Sequence, residues 1–76
     1  MKTYKEMRKK QLEVLKKVLK ICEKRKIAKA EVEMAMNYTN TNSLRTFEKG
    51  IMKVFPEWRF ELLKEYLMEL EEDKDE

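Results

Sequence analysis

Histidine is absent from this chain of 76 residues, and cysteine, glycine and proline each occur once. Without histidine, the chain lacks the side chain that most readily exchanges protons near neutral pH, and also a common zinc ligand. The single cysteine, Cys22, excludes a disulfide within the chain, and we expect it to be a small buried apolar residue. We therefore predict no metal and no cofactor.

Catalytic motifs are also missing. The sequence contains no glycine-rich phosphate-binding loop and no serine motif of the hydrolase kind. Its many glutamates fall on charged helix faces, with no sign of a pocket around them. We predict that the protein is not an enzyme and has no small-molecule substrate.

Long apolar runs are missing as well. No run approaches the roughly 18 residues that are needed to cross a bilayer, and the N-terminus lacks the apolar segment of a signal peptide. We expect a soluble, intracellular protein of the cytoplasm that does not bind membranes. A chain this short forms one domain at most and buries only about 60% of its unfolded surface. Because dimerisation would bury more surface, we expect a homodimer.

Charge is divided unevenly along the chain. Residues 1–53 contain 15 Lys and Arg against 6 Asp and Glu, a balance of +9, whereas residues 54–76 contain 3 against 9, a balance of −6. Such asymmetry is typical of a protein whose basic part binds nucleic acid or an acidic partner. The second part predicts an acidic surface and tail.

Apolar residues recur at helical spacing, and no segment alternates as a strand does. We predict an all-α domain with four helices at about 3–25, 28–37, 41–54 and 56–71. The residues expected on their buried faces are Tyr4, Met7, Leu15, Val18 and Cys22, then Val32 and Met36, then Leu44, Phe47, Ile51 and Val54, and finally Phe60, Leu63, Leu67 and Leu70. Residues 1–72 then form a single domain, followed by a frayed acidic tail, 73–76.

Individual residues mark the expected helix ends. Asn37 is expected to close the second helix, because Asn tolerates the left-handed backbone conformation, and Tyr38 to plug the corner that follows. Pro56 suits the first turn of the fourth helix, where its missing N–H would be unpaired anyway. Gly50 falls inside the predicted third helix, where it costs about 1 kcal/mol relative to Ala.

The second and third helices match the pattern of a helix-turn-helix at about 28–54: a short helix, a tight corner and another helix. In this motif the N-terminal part of the second helix enters the major groove of double-stranded DNA. Arginine can bind guanine with two hydrogen bonds, asparagine can bind adenine, and Ser or Thr can bind bases or phosphates. The residues predicted to face DNA are Thr41, Asn42, Ser43, Arg45, Thr46, Lys49 and Lys53, with Arg45, Lys49 and Lys53 on one helix face.

The segment "EVEMAMNYTNTNSLRTFEKGIMKVFPEW", residues 31–58, resembles the helix-turn-helix family of DNA-binding proteins. Its order of residue types is similar to that of the second helix-turn-helix of AraC-type regulators. In these regulators a Gly-aromatic corner, a polar turn and a recognition helix anchored by an aromatic residue precede a proline. The residues that this resemblance places against DNA are Asn42, Ser43, Arg45, Thr46 and Lys49. Glu33 and Asn37 depart from the family pattern, which usually has Ala and Gly there.

Plainer interpretations remain open for each feature. The segment "YTNTNS", residues 38–43, could be an interhelical loop with capping residues, and the basic residues after it could be a solvated helix face. The lysines of the first helix could form a solvated face or could contact phosphates; they are Lys9, Lys10, Lys16, Lys17 and Lys20.

Our leading interpretation is a small DNA-binding protein, a transcriptional or replication regulator that inserts helix 41–54 into the major groove as a homodimer. The alternative is a helical protein-interaction module, an adaptor or an inhibitor, whose basic surface binds an acidic protein partner.

Overall fold

The computed structural model describes residues 3–39 and 42–72. These residues form four α-helices, α1 (Tyr4–Arg25), α2 (Lys29–Ala35), α3 (Ser43–Glu48) and α4 (Glu57–Glu72), and no strand. The prediction of an all-α, four-helix fold is confirmed. Thr41 and the predicted acidic tail, 73–76, lie outside the described residues.

The two long helices form the scaffold. α1 and α4 pack against each other, α2 contacts both of them, and α3 packs on α2. α1 begins where the Thr3 hydroxyl accepts a hydrogen bond from the Glu6 N–H at 3.3 Å, an N-cap interaction. The buried side chains of α1 recur every three or four residues and face the core, and they are Gln11, Leu15, Val18 and Cys22.

The core contains most of the apolar side chains that helical spacing predicts. Buried as expected are Leu15, Val18, Val32, Met36, Leu44, Phe47, Phe60, Leu63 and Leu70. Phe47 stacks on Phe55, with 4.1 Å between the ring centroids. Phe55 lies outside the predicted apolar faces but is only 1% exposed, whereas Ile51, expected in the core, is 73% exposed. Tyr4, the first residue of the expected α1 stripe, is 69% exposed.

Left-handed residues end α1 and α2. Lys26 follows α1 with φ 59°, and Asn37 follows α2 with φ 68°, so the expected role of Asn37 is confirmed. Beyond Asn37, the Tyr38 N–H donates to the Glu33 carbonyl at 2.9 Å and thereby satisfies one of the last carbonyls of α2. Beyond Lys26, the Ile27 N–H reaches back to α1 in the same way, at 2.8 Å. The chain therefore turns sharply after both helices.

α3 is much shorter than predicted. The expected helix runs over 41–54, but α3 ends at Glu48. Gly50 has φ 85°, and its N–H donates to the Phe47 carbonyl at 3.1 Å. A left-handed residue cannot continue an α-helix, and glycine adopts this conformation without steric cost. The apolar residues after Gly50 keep a helical spacing although they do not lie in a helix. Gly50 therefore terminates α3 and is not a residue of a helix interior.

Arg8 of α1 binds the end of α3 and the segment after it. Its guanidinium donates hydrogen bonds to the carbonyl oxygens of Phe47 at 2.6 Å, Met52 at 3.1 Å and Lys53 at 3.1 Å. The same group lies 4.4 Å from the centroid of the Phe47 ring. The last carbonyls of a helix lack partners within the helix and carry its negative dipole end, so a cation is favourable there. Arg8 therefore fixes where α3 ends.

Two more arginines satisfy carbonyls near helix ends. Arg59 of α4 donates to the carbonyls of Met36 at 3.0 Å and Asn37 at 2.8 Å, just beyond α2. Its guanidinium lies over the ring of Tyr38 at 3.9 Å. Arg25 donates to the Leu70 carbonyl in the last turns of α4, at 2.7 Å. These guanidinium groups connect elements that are far apart in the sequence.

We expect the protein to lose stability at alkaline pH. Burial raises the pKa of the Cys22 thiol above its ordinary value of 9.0, although a hydrogen bond from Tyr66 lowers it in part. Burial likewise raises the pKa of Tyr38 and of Tyr66 above 10.0. The fold therefore holds these protons to higher pH than the unfolded chain does, and this contribution to stability is lost as pH rises. The midpoint of thermal unfolding, Tm, should fall progressively above about pH 9.

The Cys22→Ala variant separates the contribution of the thiol to this pH dependence from the contributions of Tyr38 and Tyr66. In this variant the decline of Tm should begin nearer pH 10, the region in which tyrosine titrates. Tm would be followed by circular dichroism between about pH 7 and pH 11. A Tm that stays constant across this range in the native sequence would contradict the prediction.

Candidate nucleic-acid interface

A buried carboxylate organises the corner between α2 and α3. Glu33 of α2 is 3% exposed. Its Oε2 accepts hydrogen bonds from the Ser43 hydroxyl and from the Leu44 N–H, both at 3.0 Å. The first N–H groups of a helix have no partner within it and mark its positive dipole end, so a carboxylate from a neighbouring helix stabilises them. Glu33 thereby fixes the start of α3 against α2.

Sequence reasoning missed this role of Glu33. Two features of the sequence could have indicated this role. Glu33 departs from the family pattern, and it lies beside the buried Val32 on a short helix. A charged residue is rarely fully buried without a partner, but the sequence does not indicate which partner it has. Ser43 lies ten positions away, beyond the corner.

The structure separates the predicted DNA-facing residues into two groups. Ser43 is 4% exposed and donates its hydroxyl to Glu33, so it is part of the corner and not of the surface. Thr46 is half-buried, and its hydroxyl donates to the carbonyl of Ser43 at 2.8 Å, within its own helix. Asn42, Arg45 and Lys49 are exposed. Of the predicted residues in α3 or directly beside it, these three are the ones that a partner can reach.

Asn42, Arg45 and Lys49 lie on one side of the corner and border an open cleft. Asn42 directly precedes α3, Arg45 is the third of its six residues, and Lys49 directly follows it. Spacings of three and four residues place side chains on the same helix side. With Lys29 of α2 they line a cleft of about 430 Å³ that also touches Glu33. We call this set of Lys29, Asn42, Arg45 and Lys49 the corner surface.

Lys53 does not belong to the corner surface. The prediction places Lys53 on one helix face with Arg45 and Lys49, but α3 ends at Glu48 and the chain turns at Gly50. The helical spacing therefore does not apply beyond Gly50. Lys53 is exposed in the irregular segment between α3 and α4, where its carbonyl accepts a hydrogen bond from Arg8.

The corner surface is basic. Lys29 lies 3.8 Å from a carboxylate oxygen of Glu48, and the two side chains are 64% and 38% exposed, so solvent and salt screen this pair. The Arg45 side chain makes no hydrogen bond or ion pair with any other described residue. This contrasts with Arg8, Arg25 and Arg59, whose guanidinium groups all bind backbone carbonyls. The Arg45 guanidinium is thus available to a partner.

Other kinds of site find no support in the described part of the chain. Within residues 3–39 and 42–72, no three His, Cys, Asp or Glu side chains are placed to hold a metal ion. Among the described helices, none combines the length and the apolar character that crossing a membrane requires. No known protein family, curated protein or solved structure matches this chain.

Proposed function

We propose that the protein binds double-stranded DNA through the corner surface and acts as a small transcriptional or replication regulator. The observation that carries this proposal is the contrast among the arginines. The side chains of Arg8, Arg25 and Arg59 are bound to carbonyls of the fold, whereas the Arg45 side chain is exposed and has no partner among the described residues. An exposed guanidinium beside lysines suits the guanine edge and the phosphates of DNA.

The dimensions of α3 are compatible with this role. An α-helix with its side chains is about 10–12 Å across, which fits into a major groove about 12 Å wide. In our proposal Arg45 contacts a guanine edge, Asn42 contacts an adjacent base, and Lys49 and Lys29 contact phosphates. Because Glu33 binds the start of α3, the corner surface is presented by a fixed backbone. Preorganisation of this kind reduces the entropy lost on binding.

The proposed regulator acts as a homodimer. A single corner surface of four side chains offers few contacts, and a symmetric pair would bind two half-sites about 34 Å apart. Several large apolar side chains are exposed on the monomer and could contribute to a subunit contact: Tyr4, Met34, Ile51, Trp58 and Met68.

A DNA titration tests the proposal. We expect the protein to bind a random-sequence duplex at about 50 mM salt and to bind much more weakly at about 200 mM, since phosphate contacts release counterions. The Arg45→Ala variant should bind a selected site about tenfold more weakly, equivalent to about 1.4 kcal/mol. Fluorescence anisotropy of a labelled duplex measures both effects.

Lys24→Ala is the matched control, because Lys24 is an exposed cation of α1 that does not belong to the corner surface. Its loss should change the affinity much less than the loss of Arg45. If the native protein does not bind duplex DNA at about 50 mM salt, the proposal is wrong, because non-specific phosphate affinity is visible under these conditions. The basic surface would then be assigned to an acidic protein partner.

A further inference from the structure

A second basic surface lies on α1, apart from the corner surface. Lys5, Lys9, Lys16 and Lys20 are all exposed. With 3.6 residues per turn, these four positions fall within a sector of about 60° around the helix axis. We call them the lysine stripe. None of them forms an ion pair with a described residue.

The contacts of α1 define which way the lysine stripe faces. On one side of α1, Met7 and Lys10 line a cleft together with Glu57, Phe60 and Lys64, so this side adjoins α4. The stripe occupies the opposite side, because its four positions lie about 140–180° round the helix from Met7. It therefore faces away from α4.

The neighbouring side of α1 adjoins α2 and the end of α3. Arg8, which directly precedes Lys9, binds the carbonyls of Phe47, Met52 and Lys53. Farther along α1, Leu19 lines a cleft with Lys29, a member of the corner surface. The lysine stripe thus borders the half of the molecule that carries the corner surface.

The charges of the two sides of the molecule have opposite sign. The exposed acidic residues of α4 include Glu57, Glu61, Glu65 and Glu69. The acidic residues of α1 nearest to the lysine stripe are Glu6, Glu13 and Glu23; Glu6 and Glu13 border a cleft with Lys9, and the three together reduce the charge of the stripe only in part. A long polyanion would be attracted to the stripe and repelled from α4.

We infer that the lysine stripe binds the phosphate backbone of the same duplex that the corner surface reads. This inference rests on the proposed function. Lys5 and Lys20 are 15 positions apart, which corresponds to about 22 Å along a helix, or six to seven base pairs of duplex. Exposed lysines bind phosphates as point charges, so the stripe contributes affinity and orientation but no sequence preference.

The test compares two triple variants of equal charge. The stripe variant replaces Lys9, Lys16 and Lys20 by Gln. The control variant replaces Lys17, Lys24 and Lys64 by Gln. With a random-sequence duplex, the slope of log K against log salt should become shallower by up to about 2.7 in the stripe variant, about 0.9 for each lost phosphate contact. The control variant should keep a slope close to that of the native protein. Circular dichroism establishes that both variants are folded.

The outcomes separate this inference from the proposed function. If the native protein binds DNA but both triple variants lose the same slope, only net charge matters and the lysine stripe is not a binding surface. If the native protein does not bind DNA, the proposed function itself is wrong. A second readout uses acetylation of the native protein with and without duplex: Lys9, Lys16 and Lys20 should be protected, and equal modification with and without duplex would overturn the inference.

Discussion

Replacing Gln11 by Met should lower the free energy of unfolding by about 3 kcal/mol. Gln11 is 2% exposed, and its amide makes hydrogen bonds to both the N–H and the carbonyl of Phe55, at 2.8 Å and 3.1 Å. Methionine keeps nearly the same length and volume but cannot pair with either group. A buried polar group that loses its partner costs about 1–3 kcal/mol, and here two are left.

The expected loss is large for a domain of this size. Stabilities of about 0.05–0.15 kcal/mol per residue give this chain roughly 4–11 kcal/mol in total. A loss of about 3 kcal/mol lowers Tm by roughly 12–24 °C. Glu13→Met is the matched control, since Glu13 is exposed on the same helix, and its effect should stay within about 0.5 kcal/mol. Equal effects of the two substitutions in urea unfolding would mean that the Gln11 pairing does not support the fold.

Replacing Arg8 by Met should cost about 2.5 kcal/mol. The guanidinium binds three carbonyls, of Phe47, Met52 and Lys53, and covers the Phe47 ring. Hydrogen bonds to a charged group contribute about 1.5–3 kcal/mol, but part of this site is open to solvent. Methionine retains apolar contact with the ring, so the loss reports mainly the hydrogen bonds.

Arg8→Lys distinguishes geometry from charge. An ammonium group is a point charge and cannot span three carbonyls as a planar guanidinium does. We therefore expect Arg8→Lys to recover less than half of the lost stability. Lys9→Met, at the neighbouring exposed position, is the control and should be close to neutral. Full recovery by lysine would show that charge alone accounts for the contribution of Arg8.

The two substitutions act on the same segment from different positions. Gln11 holds Phe55 just before α4, and Arg8 holds the chain just after α3. Residues 49–56 contain no helix in the structure, so these side chains from α1 replace the hydrogen bonds that a helix would supply. The position of α3, and therefore of the corner surface, depends on them.

The helices and most of their buried faces could be predicted because helical periodicity is a local signal. Val32 and Met36 lie four residues apart, Leu44 and Phe47 lie three apart, and all four are buried. The role of Asn37 was predictable for the same reason, since a left-handed helix end depends on the residue itself.

The end of α3 was not predicted because two local signals conflict. Leu44, Phe47 and Ile51 continue a helical spacing, whereas Gly50 is a typical helix terminator. The apolar pattern suggested a longer helix, but in the fold Phe55 is buried and Ile51 is exposed. The expected basic stripe that included Lys53 followed from the longer helix and does not exist.

The polar contacts that hold the segment between α3 and α4 were beyond prediction for a different reason. Arg8 and Gln11 bind backbone groups 39 to 45 positions away, and such pairs leave no periodic pattern in the sequence. A composition of 18 Lys and Arg suggests a basic surface but does not reveal which cations the fold uses internally. Only the structure distinguishes Arg45 from the other arginines.

The most direct test of the corner surface is an NMR titration of the isotopically labelled protein with a random-sequence duplex at about 50 mM salt. We predict that the backbone amides of Asn42, Arg45 and Lys49 shift most, with those around Lys29 next, while amides on the acidic face of α4 remain unchanged. DNA binding through the corner surface is contradicted if duplex DNA shifts no amides, or if the largest shifts lie on α4 while those of Asn42, Arg45 and Lys49 stay in place.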